Sequence, residues 1–257
     1  MTRLLIAATI IGVGLAGAFF VVQQSSTAVS LIPEINDSTK NNPVENISLS
    51  DPLKAFAESQ AKNIPNITQL IYQEIGGDIA DSNPNGVEIT DGKKQINIPD
   101  AEKLATELVE KSTKEFDPAS LKLSIKDDFL KISADNSKKA LTDYLVSFNK
   151  IIAESNSKMP TGANFEANFP NIVSQLIEMH QYAFNEIIKL SVPSLLQPMH
   201  KKELELLGTK INIFRMMADY QKDPVSSILA SQQIGSVDGE FSTLNENLKK
   251  FIIENEL

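Results

Sequence analysis

The first apolar stretch of the chain covers residues 4–22, which contain no charged side chain. As a helix rising 1.5 Å per residue it would be about 28 Å long, close to the hydrocarbon thickness of a bilayer. Arg3 precedes the stretch, and the first charges after it are acidic, Glu34 and Asp37. Because positive charge stays on the cytoplasmic side, we predict a single transmembrane helix, a cytoplasmic stub of residues 1–3 and an extracytoplasmic bulk.

A signal sequence is the alternative interpretation of residues 4–22. The apolar region of a signal peptide is usually only about 7 to 15 residues long, which favours an uncleaved anchor in the lipid bilayer. The small residues Ser26, Thr27 and Ala28 nevertheless offer a cleavage site, and a chain cleaved near Ala28 would be secreted. Both interpretations take the rest of the chain out of the cytoplasm.

Residues 23–98 contain signals for turns and helix caps rather than long amphipathic patterns. Residues 23–50 are polar and predict a flexible tether. Residues 51–98 predict short helices, one after Pro52 and one over 67–75 that Asn66 caps and the glycines at 76 and 77 stop. A hairpin is expected around positions 91–92, where an Asp-Gly pair favours a two-residue connection.

Amphipathic helices dominate residues 99–257, so the predicted fold class is mostly α, with a helical bundle in this region. Apolar side chains recur three and four residues apart in helices that we place at 101–116, 135–155, 168 or 171–190, 200–221, 224–235 and 241–252. Asp100 and Asp223 provide capping side chains at two of the starts. Each apolar stripe must be buried against its neighbours. Over 117–134 a weak alternation leaves short strand, short helix and irregular structure open.

The amino-acid composition limits the kinds of active site and partner that the chain can have. The chain has no Cys and only two His, which excludes thiolate nucleophiles, disulfides and cysteine-based metal sites. Its net charge of -9 and the lack of long basic runs argue against a nucleic-acid partner. A G-x-G-x-x-G match begins at Gly12, but it lies inside the predicted span, where no strand precedes it, so we predict no cofactor. The small residues Gly12 and Ala16 lie four apart and would allow a homo-oligomer through paired spans.

The two histidines are the residues to test for catalysis. Neither His180 nor His200 stands near a nucleophile motif, and each is interpreted as a helix-surface or boundary side chain. Glu178 and His180 are two residues apart and face different sides of a helix. His200 and Glu203 do have a three-residue spacing, but no second copy completes a di-metal site. The sequence therefore predicts no catalytic residue and no enzyme activity.

One loop resembles the first half of a calcium site. Asp81, Asn83 and Asn85 supply alternating oxygen ligands before a glycine, as in the D-x-N-x-N-G start of a calcium loop. The second half departs from the pattern, because position 12 of the loop is Gly92 where a bidentate Glu is required. A turn rich in Asn and Pro, without an ion, is the alternative.

Three segments carry a family resemblance. Residues 116–145, residues 192–196 with His200, and residues 214–224 resemble parts of single-anchor helical proteins of uncultured small-genome bacteria, a group with no established activity. The resemblance implies a bacterial envelope setting and a helical fold. We therefore expect a non-catalytic interaction or assembly protein of the cell envelope, for example beside a secretion or pilus apparatus. The alternatives are a ligand-binding sensor without its own output domain and a carboxylate-dependent cell-wall hydrolase.

Overall fold

A computed structural model describes Lys54 and residues 65–86, 88–90, 93–160 and 165–257. The described residues are mostly helical with little strand, which confirms the predicted helical class. They fall into two compact units, Pro65–Phe116 and Asp117–Leu257. The predicted span at 4–22, the tether and the helix predicted after Pro52 lie outside the described residues, apart from Lys54, which is helical. No helix in the described ranges has the length and apolar character to cross a bilayer.

The first unit contains α1 (Ile67–Asp81) and α2 (Ala101–Glu115), which pack together. Asn66 caps α1 as predicted, since its Oδ1 accepts a hydrogen bond of 2.8 Å from the backbone N–H of Gln69. The predicted stop at the glycines 76 and 77 is wrong, because α1 continues through both to Asp81. A glycine inside a helix costs only about 1 kcal/mol relative to alanine, a cost that packing against a neighbouring helix can offset.

The predicted hairpin is present between the two helices. Strand β1 (Glu88–Thr90) pairs with β2 (Lys93–Gln95) in antiparallel fashion, and Thr90 lies opposite Lys93. This register is the one expected for a two-residue connection at 91–92. The predicted cap of α2 is also confirmed, because Asp100 Oδ1 accepts hydrogen bonds from two backbone N–H groups at 2.9 and 3.1 Å.

The second unit is a helical bundle around a central helix. Its helices are α3 (Lys138–Asn156), α4 (Phe165–Ile187), α5 (Gln197–Ala218), α6 (Pro224–Ser231) and α7 (Ile234–Glu254). Helix α5 contacts α4, α6 and α7, and α4 also contacts α3. The predicted stripe of α3 is buried, and the core includes Tyr144, Phe148, Phe184, Leu204 and Ile211. The predicted cap of α6 is confirmed, since Asp223 Oδ1 accepts from the backbone N–H of Ser226 at 3.0 Å.

Several helix boundaries in the second unit differ from the prediction, and the largest difference is in α7, which begins at Ile234 rather than at 241. Helix α3 begins at Lys138 rather than 135, because Ser137 provides the capping oxygen for the backbone N–H of Ala140 at 3.2 Å. Helix α4 begins at Phe165, before both predicted starts, and contains Pro170. A proline so near the start of a helix forfeits one backbone hydrogen bond, and the rest of this long helix continues. Helix α5 ends at Ala218, before the predicted end at 221.

Residues 117–134, for which the sequence left short strand, short helix and irregular structure undecided, contain all three. Two short 3₁₀ turns, Pro118–Leu121 and Asp127–Phe129, flank an extended segment, and the apolar side chains at 121, 123 and 125 are buried. The segment lies along α5, where the backbone N–H of Leu123 donates to Thr209 Oγ1 at 3.1 Å. Strand β3 (Lys131–Ser133) then pairs in parallel with β4 (Ser191–Pro193). The sequence did not predict this pair.

Candidate functional site

Both histidines lie inside the second unit, so their interpretation as surface or boundary side chains is wrong. His200 is 1% exposed and His180 is 7% exposed. His180 Nδ1 lies 2.7 Å from the backbone carbonyl of Leu176 and donates to it, and its ring packs against Phe214. Burial lowers the pKa of His180 to about 4, so that it is neutral near pH 7. These contacts give His180 a packing role.

His200 belongs to a polar cluster between α3 and α5. Its Nδ1 lies 2.9 Å from the hydroxyl of Tyr144, and the two rings meet edge to face. Burial lowers the pKa of His200 to about 4, so the imidazole is neutral near pH 7. The other ring nitrogen, Nε2, is buried and has no hydrogen-bond partner. A buried nitrogen of this kind is uncommon, since most buried polar groups are paired.

Glu203 lies one turn further along α5, on the same side as His200. It is 8% exposed, and burial raises the pKa of its carboxyl to about 7, while the positive charge of Lys210 opposes the rise. Within the described residues its carboxylate makes no hydrogen bond or ion pair. The negative charge of Glu203 in turn contributes to a raised pKa of Tyr144, after the larger effect of burial.

A small cavity opens where these groups meet, and we call it the polar pocket. Its volume is about 20 Å³, which is enough for a group the size of one water molecule. Helices α3, α5 and α7 and the 3₁₀ turn Ser194–Leu196 provide the walls. The lining residues are Tyr144, Phe148, Leu196, Met199, His200, Glu203, Leu244, Asn245 and Leu248. The spacing of His200 and Glu203 was visible in the sequence, but no local pattern indicated that Tyr144 and Asn245 line the same cavity.

The calcium-loop candidates lie at the end of α1 and in the turn that follows. Asp81 is the last residue of α1, and Asn85 is exposed. The side chain of Asn83 joins the turn to Asn97: its Oδ1 accepts from the backbone N–H of Asn97 at 2.7 Å, and its Nδ2 donates to the carbonyl at 2.8 Å. Thus Asn83 already has a structural role, and calcium binding by this loop stays a prediction.

No group of three or more His, Asp or Glu side chains in the described ranges is arranged to hold a metal ion. Glu178 is exposed on α4, while its neighbour His180 is buried. His200 and Glu203 do face a common cavity, but the pair provides only two ligands. Structural zinc sites need four protein ligands and catalytic ones three.

A second cleft, of about 110 Å³, lies between the 3₁₀ turn Pro118–Leu121, α5 and α7. Three of the four charged side chains that line this cleft already have partners, and Lys122 is the fourth. Lys202 pairs with Glu240 at 2.5 Å, and Glu205 accepts a hydrogen bond of 3.1 Å from the backbone N–H of Ile125. The cleft is smaller than a cavity of about 150 Å³, which is the size that holds one benzene molecule in the core of an engineered protein.

Several exposed apolar residues of the second unit lie on or beside the parallel strand pair. Phe129, Ile132 and Leu195 are 40%, 43% and 51% exposed, and we call them the β-pair surface. They lie on two segments that the pairing of β3 with β4 brings together. Asn136 reinforces this junction: its Nδ2 donates to Ser194 Oγ at 2.8 Å, and its Oδ1 accepts from the backbone N–H of Leu195 at 3.1 Å.

Comparison of the chain with protein-family models, curated proteins and solved structures gives no match.

Proposed function

We propose that this protein is a non-catalytic interaction or assembly component of the cell envelope, held at the membrane by residues 4–22. The observation that carries the proposal is the β-pair surface. Its three large apolar side chains are each 40 to 51% exposed and lie on segments fixed by strand pairing and by Asn136. Exposed apolar side chains are typical of protein–protein contact sites where they form a contiguous patch, and in this proposal these three side chains form one.

The strands themselves add hydrogen-bonding capacity to this surface. Within the described residues, β3 and β4 form a sheet of only two strands. Each strand of such a sheet has one edge whose backbone groups are not used by the other strand. An extended segment of a partner can add to an edge of this kind, with main-chain hydrogen bonds giving affinity and side-chain pockets giving specificity.

Charge suggests the chemistry of the partner. The chain carries a net charge of -9, while the exposed Asp128 and Asp135 near Phe129 and Ile132 alternate with the exposed Lys126 and Lys131. The overall charge favours a partner of net positive charge, with an extended apolar segment for this surface. Long-range attraction of this kind raises the rate of association and weakens with added salt.

Site-specific photo-crosslinking in native membranes tests the proposal. A crosslinking side chain at Leu195 of the full chain should capture an envelope protein. The same side chain at Thr243 is the control, because Thr243 is exposed on α7 and is not part of the β-pair surface. Adding Ile132→Lys should reduce capture from position 195, since it places a charge in the apolar contact.

Comparing the proteins captured from positions 195 and 243 tests whether the β-pair surface is the interface. Capture of one specific partner from position 195, but not from 243, would support the proposal. Equal labelling at both positions, or no loss of the specific adduct in the Ile132→Lys variant, would show that the β-pair surface is not the interface. Unfolding curves of the variants must match the wild type for the comparison to hold.

A further inference from the structure

We propose that the polar pocket binds a primary ammonium group, either of a free alkylamine or of a lysine side chain, through Glu203, His200 and Asn245. This site is separate from the β-pair surface, so the proposal does not depend on the envelope interaction proposed above.

The pocket provides hydrogen-bond acceptors that lack partners. The Glu203 carboxylate is 8% exposed and makes no ion pair or hydrogen bond within the described residues. His200 is 1% exposed, and its Nε2 has no partner. When Nδ1 carries the imidazole hydrogen and donates to the Tyr144 oxygen, Nε2 is a hydrogen-bond acceptor on a residue that lines the pocket. Asn245 supplies a side-chain carbonyl at the exposed part of the wall.

A primary ammonium group matches this arrangement in charge, size and number of donors. It has three N–H donors and no acceptor, which suits a carboxylate, an imidazole nitrogen and an amide oxygen. The cavity of about 20 Å³ is large enough for the ammonium group but too small for a whole ligand. The remaining walls are largely apolar and would contact an alkyl stem, with Met199, Leu244 and Leu248 among them.

The electrostatic surroundings favour a cation in this place. The net charge of the chain is -9, which draws cations toward its surface. The charged and titratable groups around Glu203 are Tyr144 on α3, His200 and Lys210 on α5, and Asp238 on α7. Lys210 is paired with Asp238 at 2.6 Å, so its charge is partly compensated. Near pH 7 His200 is neutral, and a bound cation would favour the ionised form of Glu203.

Thermal unfolding of the full chain in detergent, with added amines at constant ionic strength, tests this proposal. n-Butylammonium chloride should raise the Tm at pH 8 in a concentration-dependent manner, because a ligand that binds only the folded state stabilises it. Tetramethylammonium chloride has the same charge and no N–H donor, and sodium chloride controls for screening. Neither salt should raise the Tm to the same extent.

Three variants separate binding from folding. Glu203→Gln should weaken butylammonium binding by about tenfold or more, since it replaces a charged acceptor with a neutral amide. Asn245→Leu should also weaken binding, and it changes an exposed position that the fold does not require. Glu246→Gln is the matched control on α7, because Glu246 is exposed and does not line the pocket. It should bind butylammonium like the wild type.

A second arm distinguishes the two sources of the ammonium group. Nα-acetyl-lysine methylamide presents a lysine side chain as it occurs in a polypeptide. If it binds more tightly than n-butylammonium and loses affinity in Glu203→Gln, a lysine of a partner is the ligand. If butylammonium binds at least as well, a free alkylamine is the ligand. The proposal is overturned if neither compound stabilises the wild type beyond the two control salts, or if Glu203→Gln responds like the wild type.

Discussion

Replacing Glu203 by glutamine should make the protein more stable at neutral and alkaline pH. Burial raises the pKa of this carboxyl from the ordinary 4.5 to about 7, so the folded state holds a proton that the unfolded state releases over that interval. The contribution of Glu203 to stability therefore falls as pH rises from about 4.5 to about 7, because its carboxyl is protonated in the folded state and ionised in the unfolded state over that interval. Glutamine keeps the shape of the side chain and removes this titration.

The size of the effect follows from the displacement of the pKa. One pH unit is equivalent to about 1.4 kcal/mol, so the interval from 4.5 to about 7 gives about 3 kcal/mol for a group that is 8% exposed. The difference in unfolding free energy between Glu203→Gln and wild type should thus rise by about 3 kcal/mol between pH 4.5 and pH 8.

Urea unfolding followed by circular dichroism at several pH values measures this difference. Glu246→Gln serves as the control, because Glu246 is exposed on α7, and its curve should run parallel to that of the wild type. The reasoning would be refuted if Glu203→Gln also ran parallel to the wild type between pH 4.5 and pH 8. In that case the carboxyl would titrate as it does in the unfolded chain.

Three further predictions concern other parts of the described residues. Gly208→Ala should destabilise the second unit by about 1 to 3 kcal/mol in urea unfolding, because the added Cβ would overlap the side chain of Leu123. Gly239→Ala is the control: it has open space around it and should stabilise the protein by up to about 1 kcal/mol. The contribution of His180 to stability should fall as pH falls from 6.5 to about 4, because in that interval His180 is protonated only in the unfolded state. His180→Phe should remove this contribution from the pH profile of unfolding, while His200, whose pKa is also lowered to about 4, keeps its own. Asn66→Ala should lower the stability of the first unit by about 1 kcal/mol, because it removes the cap of α1. Hydrogen exchange of the backbone amides of α1 measures this loss, and unchanged exchange would contradict the capping role.

Local signals in the sequence were sufficient for much of the helical architecture. The caps at Asn66, Asp100 and Asp223 were predicted because each depends on a side chain and backbone groups within three residues. The stop at the glycines of α1 failed because glycine lowers helix propensity but does not prevent helix formation when a neighbouring helix packs alongside.

Features that depend on distant residues could not be predicted in the same way. Strands β3 and β4 are three residues each and lie on opposite sides of a helical hairpin, so no local pattern marks their pairing. The spacing of His200 and Glu203 was visible in the sequence, but their burial depends on Tyr144 from α3 and on residues of α7. A periodic stripe identifies a buried face without identifying which helix covers each position.

The parallel strand pair also has a consequence for the order of folding. Pairing Lys131 with Ser191 closes a loop of about 60 residues, an entropic cost that is met only after α3 and α4 have come together. The pair should therefore form late, as expected for contacts between residues distant in sequence. A chain arrested before this step would already contain its helices but would lack the strand pairing that joins the segments carrying Ile132 and Leu195. A partner that binds this surface would therefore bind only chains in which β3 and β4 have already paired.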